Sequence, residues 1–237
     1  MSPSRRVSFY LGVFYLITFI TAIPALLLFD PVINDTDYVL GGGNDNRIFF
    51  AAFLELLLII ANIATALVPY SLLKRQSERL ALSYVAARIM ECVFIAVGIL
   101  AVLAVVTLRR DFEGTPDTLV TVSRALVAIK DWTFLFGPGF VVGIGNGLIL
   151  GYLMYRSGLM PRTLTLFGLV GGPLVCLAGI AVLFDVFELG SAGQFIMTIP
   201  EIIWELSIGL WLTFKGFTPS PIAEAYDRDI QSGLEAA

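Results

Sequence analysis

Six long apolar runs alternate with short polar segments along the chain. They cover Phe9–Phe29, Ile48–Tyr70, Leu82–Leu108, Trp132–Tyr155, Thr163–Phe184 and Phe195–Phe214. A helix needs about 20 predominantly apolar residues to cross a bilayer. Lipid also offers the backbone no hydrogen-bond partners, so each segment must satisfy its own. The pattern therefore predicts an all-α, polytopic membrane helix bundle with about six transmembrane helices. It forms a single domain over residues 1–217, followed by a polar, mobile tail over 218–237.

Two connections are longer than the rest. Asp30–Arg47 carries Pro31 and a run of glycines among Asp and Asn, and reads as a turn-rich excursion. Arg109–Asp131 contains Thr115-Pro116-Asp117, a helix start with Thr115 as N-cap and Pro116 at the first position. Leu119, Val122, Leu126 and Ile129 then recur at helical spacing. That stretch is either an amphipathic surface helix or an extension of the fourth span. The first apolar run is too long for a signal-peptide core, and is read as a retained span.

Composition sharpens this picture. Of the 237 residues 57% are hydrophobic and 14% charged, and the mean hydropathy is +0.87. Soluble domains carry about 25% charged residues, so the chain is read as integral to the membrane, with the lipid bilayer as its first partner. A net charge of −4 without a basic patch excludes nucleic acid. There is no histidine, which excludes His-ligated haem and zinc and any Ser-His or Cys-His catalytic pair. No cofactor is implied and no metal site is read. Cys92 and Cys176 lie inside apolar runs and are expected as packed free thiols. With both termini inside, nine Lys and Arg fall on the cytoplasmic side and five outside, which favours cytoplasmic termini.

The candidate chemistry lies in polar residues within the apolar runs. Glu55, Arg88, Glu91, Glu201 and Glu205 are ionisable, and Asn62 and Asn146 accompany them. A charge at mid-membrane costs about 2.5–3.5 kcal/mol on insertion scales, so such groups turn inward and mark ligand or proton paths. Arg88 and Glu91 share a helix face, as do Glu201 and Glu205, and Glu55 and Asn62. Counting 1.5 Å per residue grades the charges through the membrane, with Glu55 and Glu201 in the outer half and Arg88 deepest. Either Glu91 or Glu205 is expected to take Arg88 in bidentate fashion. The remaining carboxyls then need protons, a cation or water. The bland alternative is that these groups only glue helices together. Lys130-Asp131-Trp132 is read as an interface anchor.

Gly139, Gly143, Gly147 and Gly151 repeat every fourth residue and form a bare ridge. It suits tight packing, with Gly168 and Gly172 as its facing surface, or a homo-oligomer contact. Pro138 interrupts the same span and is a candidate gating kink, since broken helices often line transport sites.

Two stretches carry a resemblance. They are Gly151-Tyr152-Leu153-Met154-Tyr155-Arg156-Ser157-Gly158-Leu159-Met160-Pro161-Arg162, leading into Leu169 to Leu174, and Ile199-Pro200-Glu201-Ile202-Ile203-Trp204-Glu205-Leu206 through Phe217. With Arg88-x-x-Glu91 they resemble a bacterial membrane family catalogued as domain of unknown function 4386, over about residues 5 to 217. The resemblance implies a six-helix domain in a bacterial inner membrane and brings no activity, substrate or cofactor. The residues themselves lead to an intramembrane site for a small ligand or ion, with proton- or cation-coupled transport as its form. The alternatives are an intramembrane enzyme acting on a lipid-like substrate, which would need Glu–Arg chemistry or an oxygen-held metal such as Mg²⁺ or Mn²⁺, or a non-catalytic sensor or accessory subunit.

Overall fold

Each apolar run corresponds to one long helix. In the computed structural model, which describes residues 1–35, 38–41, 43–111 and 113–235, the helices are α1 (Pro3–Asn34), α2 (Asp45–Leu73), α3 (Glu78–Asp111), α4 (Pro116–Ser157), α5 (Arg162–Leu183) and α6 (Ala192–Phe214). All six are long and apolar enough to cross a membrane, and the chain is a multi-pass membrane protein. Part of the expected glycine-rich loop, including Gly42, lies outside the described residues. Among the described residues there is no strand.

The helices form a ring. Each packs on the next in sequence, and α6 closes back on α1. Short connections force this antiparallel neighbour-to-neighbour order. The outer surface is apolar and exposed, as at Ile20, Leu56, Leu100 and Phe195. The inner surface collects the buried polar residues.

Thr115 caps α4 through its side chain, with Pro116 in the first turn. The helix then runs without a break into the fourth span, so the amphipathic segment is an extension of it. Leu135–Val141 and Gly143–Leu150 are wound as π-helix. Such winding is rare and frequent at functional sites. Here it accommodates Pro138, which has no N–H and whose ring would otherwise meet the carbonyl four residues earlier.

The glycine ridge faces the chain's own α5. A Cβ placed at Gly143 would sit 2.6 Å from the Gly172 carbonyl, and one at Gly151 would sit 3.4 Å from the Leu169 nitrogen. Gly147 lies against Gly172 even more closely. Gly139 is the exception, with only the Phe134 carbonyl at 3.6 Å. On the other face of α5, a Cβ at Gly171 would sit 2.5 Å from the Glu201 nitrogen.

Both termini lie at one end of the ring. The expected mobile tail is instead a helix, α7 (Pro221–Glu235). Ala223 and Tyr226, three apart, bury into the core on one face. The Ser4 backbone N–H and hydroxyl donate to Asp227 at 2.6 and 2.7 Å, and Arg75 pairs with Asp229 at 2.6 Å. The opposite end is clamped by Asp45, which pairs with Arg109 at 2.5 Å and Arg110 at 2.6 Å. Tyr38 donates to the same carboxylate at 3.1 Å. Burial, then this hydrogen bond and the Asp45 charge, push the Tyr38 phenol up to about 12, so it remains a donor at neutral pH.

The packing predicts unequal glycine substitutions. Gly143→Ala and Gly171→Ala should each destabilise the fold by about 1–3 kcal/mol, as overpacking does. Gly139→Ala should leave it unchanged or slightly firmer. Thermal unfolding in detergent would separate the two groups, and equal losses at all three positions would contradict the assigned faces.

Candidate functional site

Arg88 is the centre of the interior. It sits about one third of the way along α3, only 2% exposed, and its guanidinium meets three different partners. Nη1 donates to Glu91 Oε2 at 2.7 Å, Nη2 to Asn62 Oδ1 at 2.5 Å, and Nε to Thr65 Oγ1 at 3.1 Å. Asn62 Nδ2 in turn donates to Glu91 Oε1 at 2.9 Å. The expected bidentate fork is therefore absent. Glu91 is one helical turn away on the same helix, so only one of its oxygens reaches the guanidinium, and α2 supplies the other acceptors. The Tyr15 ring covers the group at 5.7 Å, a favourable cation–π distance.

A second cluster adjoins the first. Asn146, fully buried in the π-wound part of α4, donates through Nδ2 to Glu205 Oε1. Its Oδ1 accepts from the Tyr15 hydroxyl at 3.2 Å, and Tyr15 shares a 2.8 Å hydrogen bond with Tyr84. The Asn146 carbonyl accepts from the Trp204 indole N–H at 2.9 Å. Two tyrosines thus join the Glu205 side of the site to the Arg88 side.

Glu55 does not depend on Arg88. Lys130 Nζ reaches both of its oxygens, at 2.6 and 2.8 Å, and lies 4.8 Å from the centre of the Phe29 ring. Both side chains are buried. The reading of Lys130 as an interface anchor is overturned. Because α4 continues unbroken through this region, Lys130 falls on its inward face and points at α2.

These groups share a cavity of ≈ 300 Å³. Glu55, Glu91 and Glu205 line it, with Arg88, Lys130 and Asn62. Pro138 is also on its wall. Three carboxylates thus face two cations. Glu55 is matched by Lys130 and Glu91 by Arg88. Glu205 forms no ion pair among the described residues, and its Oε2 accepts no hydrogen bond there. It is also the least buried of the three carboxylates. Among the described residues no three His, Cys, Asp or Glu side chains gather as a metal would require. A cation at Glu205 would meet one carboxyl without an ion pair, the neutral Asn146 amide, and the field of the Arg88–Glu91 pair that lines the same cavity.

Glu201 stands apart. It shares the helix with Glu205, one turn earlier, yet does not line the cavity. It is 2% exposed, and neither carboxyl oxygen has a hydrogen-bond partner among the described residues. Its Oε2 fills the notch left by two glycines, 2.7 Å from where a Cβ of Gly147 would be and 2.8 Å from that of Gly171. A carboxylate ion left there unpaired would cost several kcal/mol, so the packing suits an uncharged carboxyl. Of the ionisable candidates read from the sequence, Glu201 is the one that the cavity does not reach.

Spacing along one sequence located six of the cavity's polar residues or their neighbours, Glu55, Asn62, Arg88, Glu91, Asn146 and Glu205. It missed Lys130, Tyr15, Tyr84 and Thr65. The tyrosines look like ordinary apolar-span aromatics. The one signal for Lys130 is its helical register with Leu126 and Val127, four and three residues earlier on an unbroken α4.

A family model described as Domain of unknown function (DUF4386) matches residues 10–216. No curated protein and no solved structure matches the chain.

The pairing makes two contrasts measurable. Lys130→Met should cost about 3–5 kcal/mol because it strands the Glu55 charge, whereas Lys130→Met with Glu55→Leu should recover most of that loss. A double-mutant cycle on unfolding midpoints reads the coupling, and additive losses would refute the pair. Glu91→Gln should likewise cost several kcal/mol by leaving Arg88 uncompensated, while Glu201→Gln should stay within about 1 kcal/mol of the parent. Equal losses at the two glutamates would contradict their assigned surroundings.

Proposed function

The chain belongs to the DUF4386 family of unknown function, and from its geometry we propose that it binds a small monovalent cation or cationic ligand at Glu205, as the binding step of proton- or cation-coupled transport. The observation that carries this reading is the charge account of the cavity. Two of its three carboxylates are matched by Arg88 and Lys130, and the third is left facing open volume. Away from bulk water, a carboxylate without an ion pair attracts a positive charge more strongly than it would in solution.

Coupling follows from the same account. A proton and a cation are competing ways to neutralise a single carboxylate, so entry of one favours release of the other. Arg88 and Lys130 keep their own partners in both states and prevent binding of a second cation. The π-wound part of α4 carries both Pro138, on the cavity wall, and Asn146, which holds Glu205. It is the element whose rewinding would open or close the site.

The full chain reconstituted in liposomes with a trapped pH-sensitive dye tests this. An imposed gradient of sodium or methylammonium should drive proton movement. Glu205→Gln should slow it by about tenfold or more, as expected when a contact worth at least 1.4 kcal/mol is lost. Absence of flux with every cation tried, or an undiminished rate in Glu205→Gln, would count against the proposal.

A further inference from the structure

The walls of the cavity change character with depth. Arg88, Glu91, Glu55, Lys130 and Asn62 are all buried. The lining residues with large exposed surface are Ile23 and Leu26 of α1 and Phe134 of α4, and all three are apolar. They belong to helices whose outer faces are apolar along the same stretch. At the end of the ring above the site, Phe29 and Lys130 close over Glu55. The ring's α1–α6 seam is tight nearer the termini, where a Cβ at Gly12 would touch Thr213 and one at Gly209 would touch Leu16. Farther along, at Ile23 and Leu26, α1 borders the cavity instead, across from Thr198 and Ile202 of α6. The opening therefore faces sideways, through an apolar rim, toward the region that lipid tails would occupy.

We propose that the ligand of this cavity is an amphiphilic amine that enters from within the bilayer, its cationic head on Glu205 and its apolar body between Ile23, Leu26 and Phe134. This inference rests on the reading of Glu205 as a cation site and adds the ligand's class and route. A purely aqueous cation would have to cross the apolar rim unescorted. An amine with an alkyl chain is concentrated beside that rim, by about fourfold for each methylene taken from water. The chain gains little more on passing from lipid into the mouth, because both are apolar. Discrimination thus comes from the head. An anionic head would face an unmatched carboxylate, and a neutral head would leave its charge unanswered.

The test uses the full chain in nanodiscs of neutral phosphatidylcholine, with octylamine, octanol and methylamine as probes. Binding is read as the ligand-dependent shift of the unfolding temperature. The variants are Glu205→Gln, Leu26→Trp and Ile23→Trp, each first checked for helix content and for its own unfolding midpoint without ligand. Octylamine is expected to bind about tenfold or more tightly than either other probe. Glu205→Gln and at least one of the two rim variants should weaken it by a similar factor. Methylamine binding as tightly as octylamine, or octylamine binding unaffected by both rim variants, would overturn the lateral amphiphile while leaving the cation site standing. Octanol binding as tightly as octylamine would overturn the cationic head. If neither amine binds, the Glu205 site itself fails.

Discussion

Everything inside the ring depends on burying the Arg88 guanidinium. A charge at that depth must be answered by groups the bundle itself provides, because lipid offers none. Thr65 and Asn62 come from α2, Glu91 from α3 itself and the covering Tyr15 ring from α1. One side chain thereby fixes three helices in relative register. Buried networks of this kind are costly when half satisfied and firm when complete. Three of the five guanidinium donors have named acceptors here, and a π-face lies alongside.

Once that centre is fixed, the remaining charges sort themselves by what can reach them. Lys130 comes in from α4 and answers Glu55. Asn146 is brought in by the same helix after its winding widens around Pro138, and it offers Glu205 a neutral donor only. That one carboxyl of the cavity has no cationic partner is thus a consequence of which helix carries an amide instead of an amine. The two-glycine notch around Glu201 shows the other solution, in which close packing leaves no volume for a partner at all.

Much of the fold was legible because hydrophobic length is so direct a signal in membrane proteins. The six runs map onto six helices, and the structure extends each at one or both ends by polar residues that the apolar count ignored. The tail was misread because its composition is polar overall, although Ala223 and Tyr226 form a narrow apolar face. The site was only partly legible. Intramembrane charge identified Arg88, Glu91, Glu55 and Glu205 one by one, but partners on other helices have no sequence spacing. Thus Lys130 looked like a flank residue, and Glu55 looked unpaired. Glu201 and Glu205 illustrate a finer limit. Four residues advance an α-helix about 40° past a full turn, enough for one carboxyl to face the cavity and the other to face the α4–α5 seam.

Glu205 is the carboxyl of the cavity proposed to answer an incoming cation. The most direct measurement is infrared difference spectroscopy of the reconstituted chain before and after adding an amine. Cation binding at Glu205 predicts a change in the carboxyl stretching region that disappears in Glu205→Gln and persists in Glu201→Gln. A difference spectrum that survives Glu205→Gln, or that vanishes with Glu201→Gln instead, would contradict it.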